Sequence, residues 1–496
     1  MKSFRVLPIL ALLAILSACQ DMDVVNLNQP DRERALQEPS AVEALLTSGF
    51  YHFYEPTTDA YAMVHFVLAN EATSSLSSRG IFDLGRQPRQ AFDNSPTYGY
   101  RWFIQWPWES NYRGISNVTD AMVAINEGMR FTDGTKDNTP RGHAFIKFIQ
   151  GISHGYLAMM FDQAIILDET VNLEDGVPEP SPYPEVMAAA IGYLEEAIQV
   201  AEANAFQLPA SWLPQRPLTN TELAQWAHLF AARYLAAVAR TPAEREQVDW
   251  SRVAYHAERA GDADASVEGD GWYWWFAGGW YGQTWLRGAY ELLGPADESG
   301  RYEAWRASPL MERQPFTIVT SDRRIHGEEG PTSEGTYWRW HATSPFSSAR
   351  GDYFQSLYEN IRWEYHRLTG ALGPCPVFQK EEATLLRAEA RLRAGDIPGA
   401  VELINVSRVG NGKMERLSAN ISAEEAWKWM KYEKLMEIAF VQGGHAFAER
   451  RGWGDLICGT LLHFPMPGAE LERMLMPIYT FGGTAGGAAT PPDCMP

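Results

Sequence analysis

The sequence predicts an all-α protein, a solenoid of stacked helix pairs interrupted by two loop-rich insertions. Three observations predict it. Long alanine-rich runs carry apolar residues at helical spacing, one segment reads as helix, Gly-Asp turn and helix, and two stretches lose that period while gaining glycine and aromatic residues. The 496 residues, 45% hydrophobic and 21% charged, supply ample material for a large core.

The chain starts MKSFRVLPILALLAILSACQ, with Lys2 and Arg5 as a basic start, an apolar run from Val6 to Ile15, and a small-residue cleavage region at Leu16-Ser17-Ala18. That run is too short for a bilayer core, which needs roughly 20 residues. Leu-Ser-Ala-Cys resembles the bacterial lipobox. The resemblance implies a signal peptide over 1–18, a lipid on Cys19, and an anchor and tether over 19–39. Asp21 and Asp23 are similar to the signal that sends such lipoproteins to the cell surface in Bacteroidetes-type bacteria. The formal charge of -20 argues against nucleic acid as a partner, because binding it depends on Lys and Arg neutralising phosphates. An anionic membrane surface repels the same charge, so attachment there has to be covalent or through another protein. Beyond Cys19 only Cys375, Cys458 and Cys494 remain, which allows at most one disulfide and leaves its pairing open.

Residues 40–496 read as a single helical domain. Ser40-Ala-Val-Glu43 fits a capping box ahead of Leu45, Leu46, Phe50 and Tyr51. A first irregular stretch covers about 74–108. Helical patterns follow at 117–129, 144–161, Tyr183 to Ala203 and Thr219 to Ala239, with small residues that let neighbouring helices approach. A second irregular stretch, about 261–374, is rich in Gly, Trp, Tyr, Ser and Arg. Then comes the clearest pair, Phe378 to Arg408, where Gly395 can end one helix in a left-handed conformation and Asp396 caps the next. This unit resembles a tetratricopeptide repeat. Such units stack, so pairs at about 144–260 and 378–456 are expected to form one tetratricopeptide-like wall, with the irregular stretches carrying the ligand face.

Catalytic signatures are weak. GISHG, Gly151 to Gly155, matches a nucleophile-elbow pattern, but the helical period runs straight through it. No HExxH, phosphate loop or CxxC pair occurs. Asp262, Asp264, Ser266 and Glu268 mimic the start of a calcium loop, yet Val267 stands where its glycine belongs. No catalytic residue, cofactor or metal is therefore expected. A helical glycosidase with dispersed carboxylates is the enzymatic alternative. Glu389, Trp106, Trp108 and Trp226 read as packing or structural hydrogen-bonding residues.

The stretch Gly271 to Trp285, GWYWWFAGGWYGQTW, differs in kind: eight of its fifteen residues are aromatic. Gly278-Gly279 breaks the helical period, and a hairpin with Ala277-Gly278-Gly279 at its tip is expected, sending alternate rings to opposite sides. Exposed rings suit sugars, whose C–H faces stack on them while hydroxyls seek polar partners. The candidate ligand residues are Trp272, Trp274, Trp275, Trp280, Tyr281, Trp285 and Arg287, with Tyr100, Trp102 and Trp338 from the same kind of surroundings. Tyr98, Tyr337 and Trp340 follow by the same logic, and Gln283, Asp83 and Arg86 are candidates for bonding hydroxyls.

Several landmarks coincide with one family. Trp108, Tyr112, Ile115 and Asn117, the segment YLAMMFDQA, the run PVFQKEEATLLRAEARLRAGD with INVSR, YEKLMEIAFVQGGHAFAERRGWGDL and HFPMPGAEL together resemble the SusD/RagB-like nutrient-uptake lipoproteins from the lipobox to about Leu471. Departures are Glu433-Lys434 for the family's Glu-Arg, Gln442-Gly443 for Glu-Gly, and the Gly-rich tail. The resemblance implies a non-enzymatic, outer-membrane binding protein facing the cell exterior. It would capture oligosaccharides, or alternatively peptides or other nutrients, for a SusC-like TonB-dependent transporter on which the helical wall docks.

Overall fold

The computed structural model describes residues 36–271, 277–343 and 356–496. The wall begins at α1 (Pro39–Leu46) and α2 (Gly49–Thr58), which lie on the long α3 (Trp102–Asn126). From there α4 (Thr139–Met160), α5 (Tyr183–Ala203), α6 (Asn220–Ala237), α7 (Trp250–Arg259) and α8 (Lys380–Arg393) each pack on the one before. Helices α9 (Ile397–Gly410) and α10 (Ala423–Ile438) close on α8, and α11 (His445–Trp453) crosses behind α6 and α10. The expected all-α, paired-helix architecture is what forms. No helix of the described residues is long and apolar enough to cross a membrane.

Local chemistry explains the boundaries. Thr219 and Glu222 form a reciprocal capping box at α6. Gly395, at φ +77°, ends α8, and Asp396 accepts the Gly399 N–H at 2.9 Å to start α9. The capping box expected at Ser40 does not form: α1 starts two residues earlier, with Glu38 as N-cap and Pro39 in its first turn, and Glu43 pairs instead with Arg141 of α4. The GISHG motif sits in mid-α4. A Cβ on Gly151 would lie 2.6 Å from Leu194 of α5, and Gly155 meets the Tyr234 ring of α6 in the same way. Its glycines therefore serve close helix approach, and buried Ser153 is no nucleophile elbow.

The core is unusually charged where the late helices meet. Arg233 holds Glu382 through two 2.7 Å bonds, Lys434 lies 2.9 Å from Glu449, and Arg324 reaches Glu433 at 2.7 Å and Glu437 at 2.9 Å, all of them buried. Glu389, expected to be structural, receives Arg245 and the Trp453 indole N–H. Burial alone would raise its carboxyl, but Arg245 and Lys434 hold it below the ordinary range. Cys458 and Cys494 form the disulfide, and Cys375 is free and buried.

The second insertion leaves and rejoins the wall through one antiparallel ladder, Ala265–Asp270 against Leu372–Phe378, with Cys375 opposite Val267. Its excursion is thus anchored at both ends to the helical frame.

Candidate functional site

Two short strands bring the insertions together. β1 (Ala72–Thr73) pairs antiparallel with β2 (Arg287–Gly288), placing Ala72 opposite Gly288 and Thr73 opposite Arg287. Beyond β1 the chain turns through Arg79 and Gly80, both at positive φ, +54° and +79°. Gly80 has little room for a side chain: a Cβ there would sit 3.0 Å from Phe103 and 3.1 Å from the Tyr98 hydroxyl. The turn aims Arg79 across two rings, with its guanidinium carbon 5.3 Å from the Trp285 centroid and 5.8 Å from that of Tyr61. The segment Ala60–Ala62, which carries Tyr61, packs beside Ala277–Tyr281, so Tyr61, Arg79, Trp280 and Trp285 belong to one half-buried surface.

Through Gly80 this surface continues to the end of the first insertion. Tyr98 donates to Asp83, its ring meets Tyr100 edge-on at 5.9 Å, and Arg101 lies 4.8 Å over Trp102. Tyr100 is exposed and Trp102 half-buried. The first insertion ends sooner than expected, since α3 begins at Trp102 and Trp102 to Trp108 are helical.

The other candidates divide. Trp272, Trp274 and Trp275 lie outside the described residues, as do Cys19 and the side chain of Tyr281. Four expectations are corrected. Ala277–Tyr281 is helical and runs on into Gly282–Thr284, so no hairpin tip exists there. Its glycines admit neighbours: a Cβ on Gly279 would be 2.5 Å from His366 Nδ1, and one on Gly282 would be 3.1 Å from Phe440. Trp338 is fully buried, wedged against Gly288 within β3 (Trp338–Trp340), which pairs with β4 (Tyr358–Asn360); it is a core residue and no platform. Arg287 is buried as well, and its Nη1 donates to the carbonyls of Gln283 at 3.2 Å and Leu286 at 2.7 Å, tying down the end of the helical turn rather than awaiting a hydroxyl. Gln283 is likewise buried, its amide nitrogen donating to Gly278 O at 3.0 Å.

Sequence reasoning missed Tyr61 and Arg79, which carry no periodic or compositional signal. It also missed Glu71. That carboxylate, one residue before β1, is buried, accepts the Phe440 N–H, and receives the Ala289 N–H at its carbonyl. Burial lifts it to about 8, with the Phe440 N–H and Arg450 pulling the other way. Among the described residues no group of three or more His, Cys, Asp or Glu side chains is placed to hold a metal. A separate concavity of about 320 Å³, lined by Glu291, Tyr302, Lys428, Tyr432 and Arg450 among others, includes none of the aromatic candidates.

Searches by sequence find no matching family model and no matching curated protein. The fold, by contrast, is that of the SusD-like proteins. The chain is similar in structure to a SusD superfamily protein from Parabacteroides distasonis, with 14% identity, a TM-score of 0.59, and coverage of 88% of this chain and 97% of that one. A SusD superfamily protein from Bacteroides vulgatus matches at 14% identity and TM-score 0.56 over 88% and 97%. A SusD-like carbohydrate binding protein from Bacteroides fragilis matches at 14% identity and TM-score 0.54 over 92% and 96%.

Proposed function

We propose that this chain is a SusD/RagB-like surface lipoprotein that captures oligosaccharides and passes them to a SusC-like TonB-dependent transporter. The carrying observation is the convergence of Tyr61, Arg79 and Trp285, with Trp280 beside them, on one half-buried surface assembled from both insertions and the Ala60–Ala62 turn. Flat rings accept the C–H face of a pyranose, and the guanidinium edge and nearby hydroxyls meet its rim. A few such platforms give modest affinity, which suits a protein that hands its ligand on. Lipid on Cys19 would hold the acidic body at the outer membrane, since acyl chains contribute about 0.8 kcal/mol per buried methylene. The SusD-like fold and the carbohydrate-binding description of a structural neighbour support this reading. On this reading the chain binds and releases its ligand without a chemical step.

The test is a glycan array with soluble protein lacking residues 1–19, followed by titration of hits against Trp285→Ala, Trp280→Ala and Tyr100→Ala. Binding to an oligosaccharide class, weakened by these substitutions with folding retained, is expected. Silence across broad neutral and acidic glycans would overturn the proposal, and peptide binding would move it to the alternative ligand class. Pull-down of the co-expressed transporter tests the partnership.

A further inference from the structure

We infer that the cleft between α5, α6 and α7 binds a zinc ion, with His228 and Glu202 as its protein ligands; the site stands apart from the aromatic face and does not depend on glycan capture. The cleft, of about 520 Å³, is lined by Glu195, Gln199 and Glu202 of α5, His228 of α6, and Tyr255 and His256 of α7, among others. Both imidazoles are buried and meet through their Nδ1 atoms at 2.9 Å, so one Nδ1 holds a proton and the other a lone pair. Burial lowers both histidines, His228 to about 4, and at neutral pH each ring therefore has a single proton. Whichever tautomer forms, one Nε2 of the pair is bare. Each Nε2 nevertheless faces a carboxylate, that of His256 at 3.4 Å from Glu195 and that of His228 at 3.8 Å from Glu202, and neither closes a hydrogen bond. Two acceptors thus oppose each other at one end of the row Glu195, His256, His228, Glu202, a contact that only a cation between them makes favourable.

The vacant end is that of His228. Glu195 is engaged by Arg252 at 2.6 Å, whereas His228 is the one ion-pair partner of Glu202 among the described residues. Arg259 acts on both imidazoles electrostatically, but it bonds the Tyr255 carbonyl at 3.0 Å and lies over that ring at 3.8 Å. Other histidines beside glutamates differ. His143 and His341 close on Glu196 and Glu359 at 2.7 and 2.6 Å. Buried His445 stays 3.4 Å from Glu382 and 3.7 Å from Glu449, but Arg233 already holds the first and Arg245 and Lys434 the second. A gap of 3.8 Å at His228 is too long for a hydrogen bond, yet near the spacing of about 3.4 Å between two ligands of a tetrahedral zinc ion. Glu202 is largely exposed and can close the difference.

An imidazole beside a carboxylate suits zinc rather than magnesium or calcium, which prefer oxygen alone. With zinc on its Nε2, His228 keeps its proton on Nδ1 and donates it to His256, the outer bond that fixes the ring of a ligating histidine. Gln199, one turn before Glu202 on α5, offers an amide oxygen, and water completes the shell. Two ionisable ligands rather than three make this an open site of moderate affinity. Bound zinc would staple α5 to α6 just ahead of α7 and the second insertion.

The experiment is calorimetric titration, at about pH 7.5, of the soluble protein lacking residues 1–19 with zinc chloride and with magnesium chloride. His143→Ala and His341→Ala are carried as background, to remove the exposed histidine–glutamate pairs. Expected are saturable binding of one zinc per chain, no response to magnesium, a melting temperature that rises with zinc, and imidazole nitrogen resonances of His228 and His256 that move on zinc addition. Glu202→Gln and His228→Gln should each weaken zinc by about tenfold or more, and because Glu202 is exposed its variant keeps the fold. Absence of saturable zinc binding, or zinc binding untouched by Glu202→Gln, overturns the inference. So do imidazole resonances that respond to acid and not to zinc, which would make the pair a proton site only.

Discussion

Arg245 and Glu389 meet as a two-pronged ion pair, Nε to Oε1 and Nη2 to Oε2 both at 2.7 Å, with neither side chain exposed. Arg245 also reaches Glu449 at 2.5 Å, so one guanidinium of the α6–α7 connection neutralises carboxylates from α8 and α11. Removing it leaves Glu389 to Arg393 and Lys434, and Glu449 to Lys434 and His445, with two buried anions short of their main counter-ion. Arg245→Met is expected to cost about 3–5 kcal/mol in urea denaturation of the soluble body. A loss below 1 kcal/mol would mean that the late helices are held by apolar packing alone.

Glu71 should give stability a pH slope of its own. Its folded pKa of about 8 lies above the ordinary 4.5, so its favourable contribution is complete below 4.5 and lost as pH rises through 8. Buried histidines such as His65 and His154, lowered to about 4 by desolvation, act in the opposite sense on the acid side. Between pH 6.5 and 8, therefore, Glu71→Gln should flatten the decline, by up to about 1.4 kcal/mol per pH unit relative to wild type. Parallel profiles for the two proteins would refute this.

Two glycines should respond to alanine with opposite signs. Gly279→Ala drives a methyl into His366, whose Nδ1, Cγ and Cβ lie 2.5–2.9 Å from its position, at an expected cost of about 1–3 kcal/mol. His366→Ala in the same chain should recover part of it. Gly192 is exposed in mid-α5 with open space at its Cβ, so Gly192→Ala should stabilise by about 0.5–1 kcal/mol. Thermal unfolding of the four proteins decides both.

The disulfide joins residues 36 apart and fastens a tail that supports the first insertion. Phe481 O accepts the Phe92 N–H at 3.0 Å, and Asn94 donates to the carbonyls of Met466 and Tyr479, both at 2.9 Å. The double variant Cys458→Ser with Cys494→Ser should lose about 2–4 kcal/mol. Proteolysis should then cut first between about 474 and 496, and uniform cutting along the wall would count against this support role.

The helical wall was legible because its signals are local. Gly395 and Asp396 need only neighbours to act, and the alanine-rich runs from Tyr183 and Thr219 declare their own period. The face was less legible because contact, not propensity, decides it. Gly278-Gly279 looked like a break, since glycine costs a helix about 1 kcal/mol relative to alanine, yet packing against His366 outweighs that cost. Composition could not tell buried Trp338 from half-buried Trp285, because both sit among glycines and polar residues. Tyr61 and Arg79 matter through partners far away in sequence, which a single-sequence reading does not pair.

The pairing of Ala72–Thr73 with Arg287–Gly288 joins points roughly two hundred residues apart through a ladder two residues long. So short a contact cannot repay the entropy of closing so long a loop; it must wait until the helices between have stacked. The surface proposed for the ligand is therefore a late feature of folding, and an intermediate with its helices stacked but this ladder unpaired would lack the proposed site.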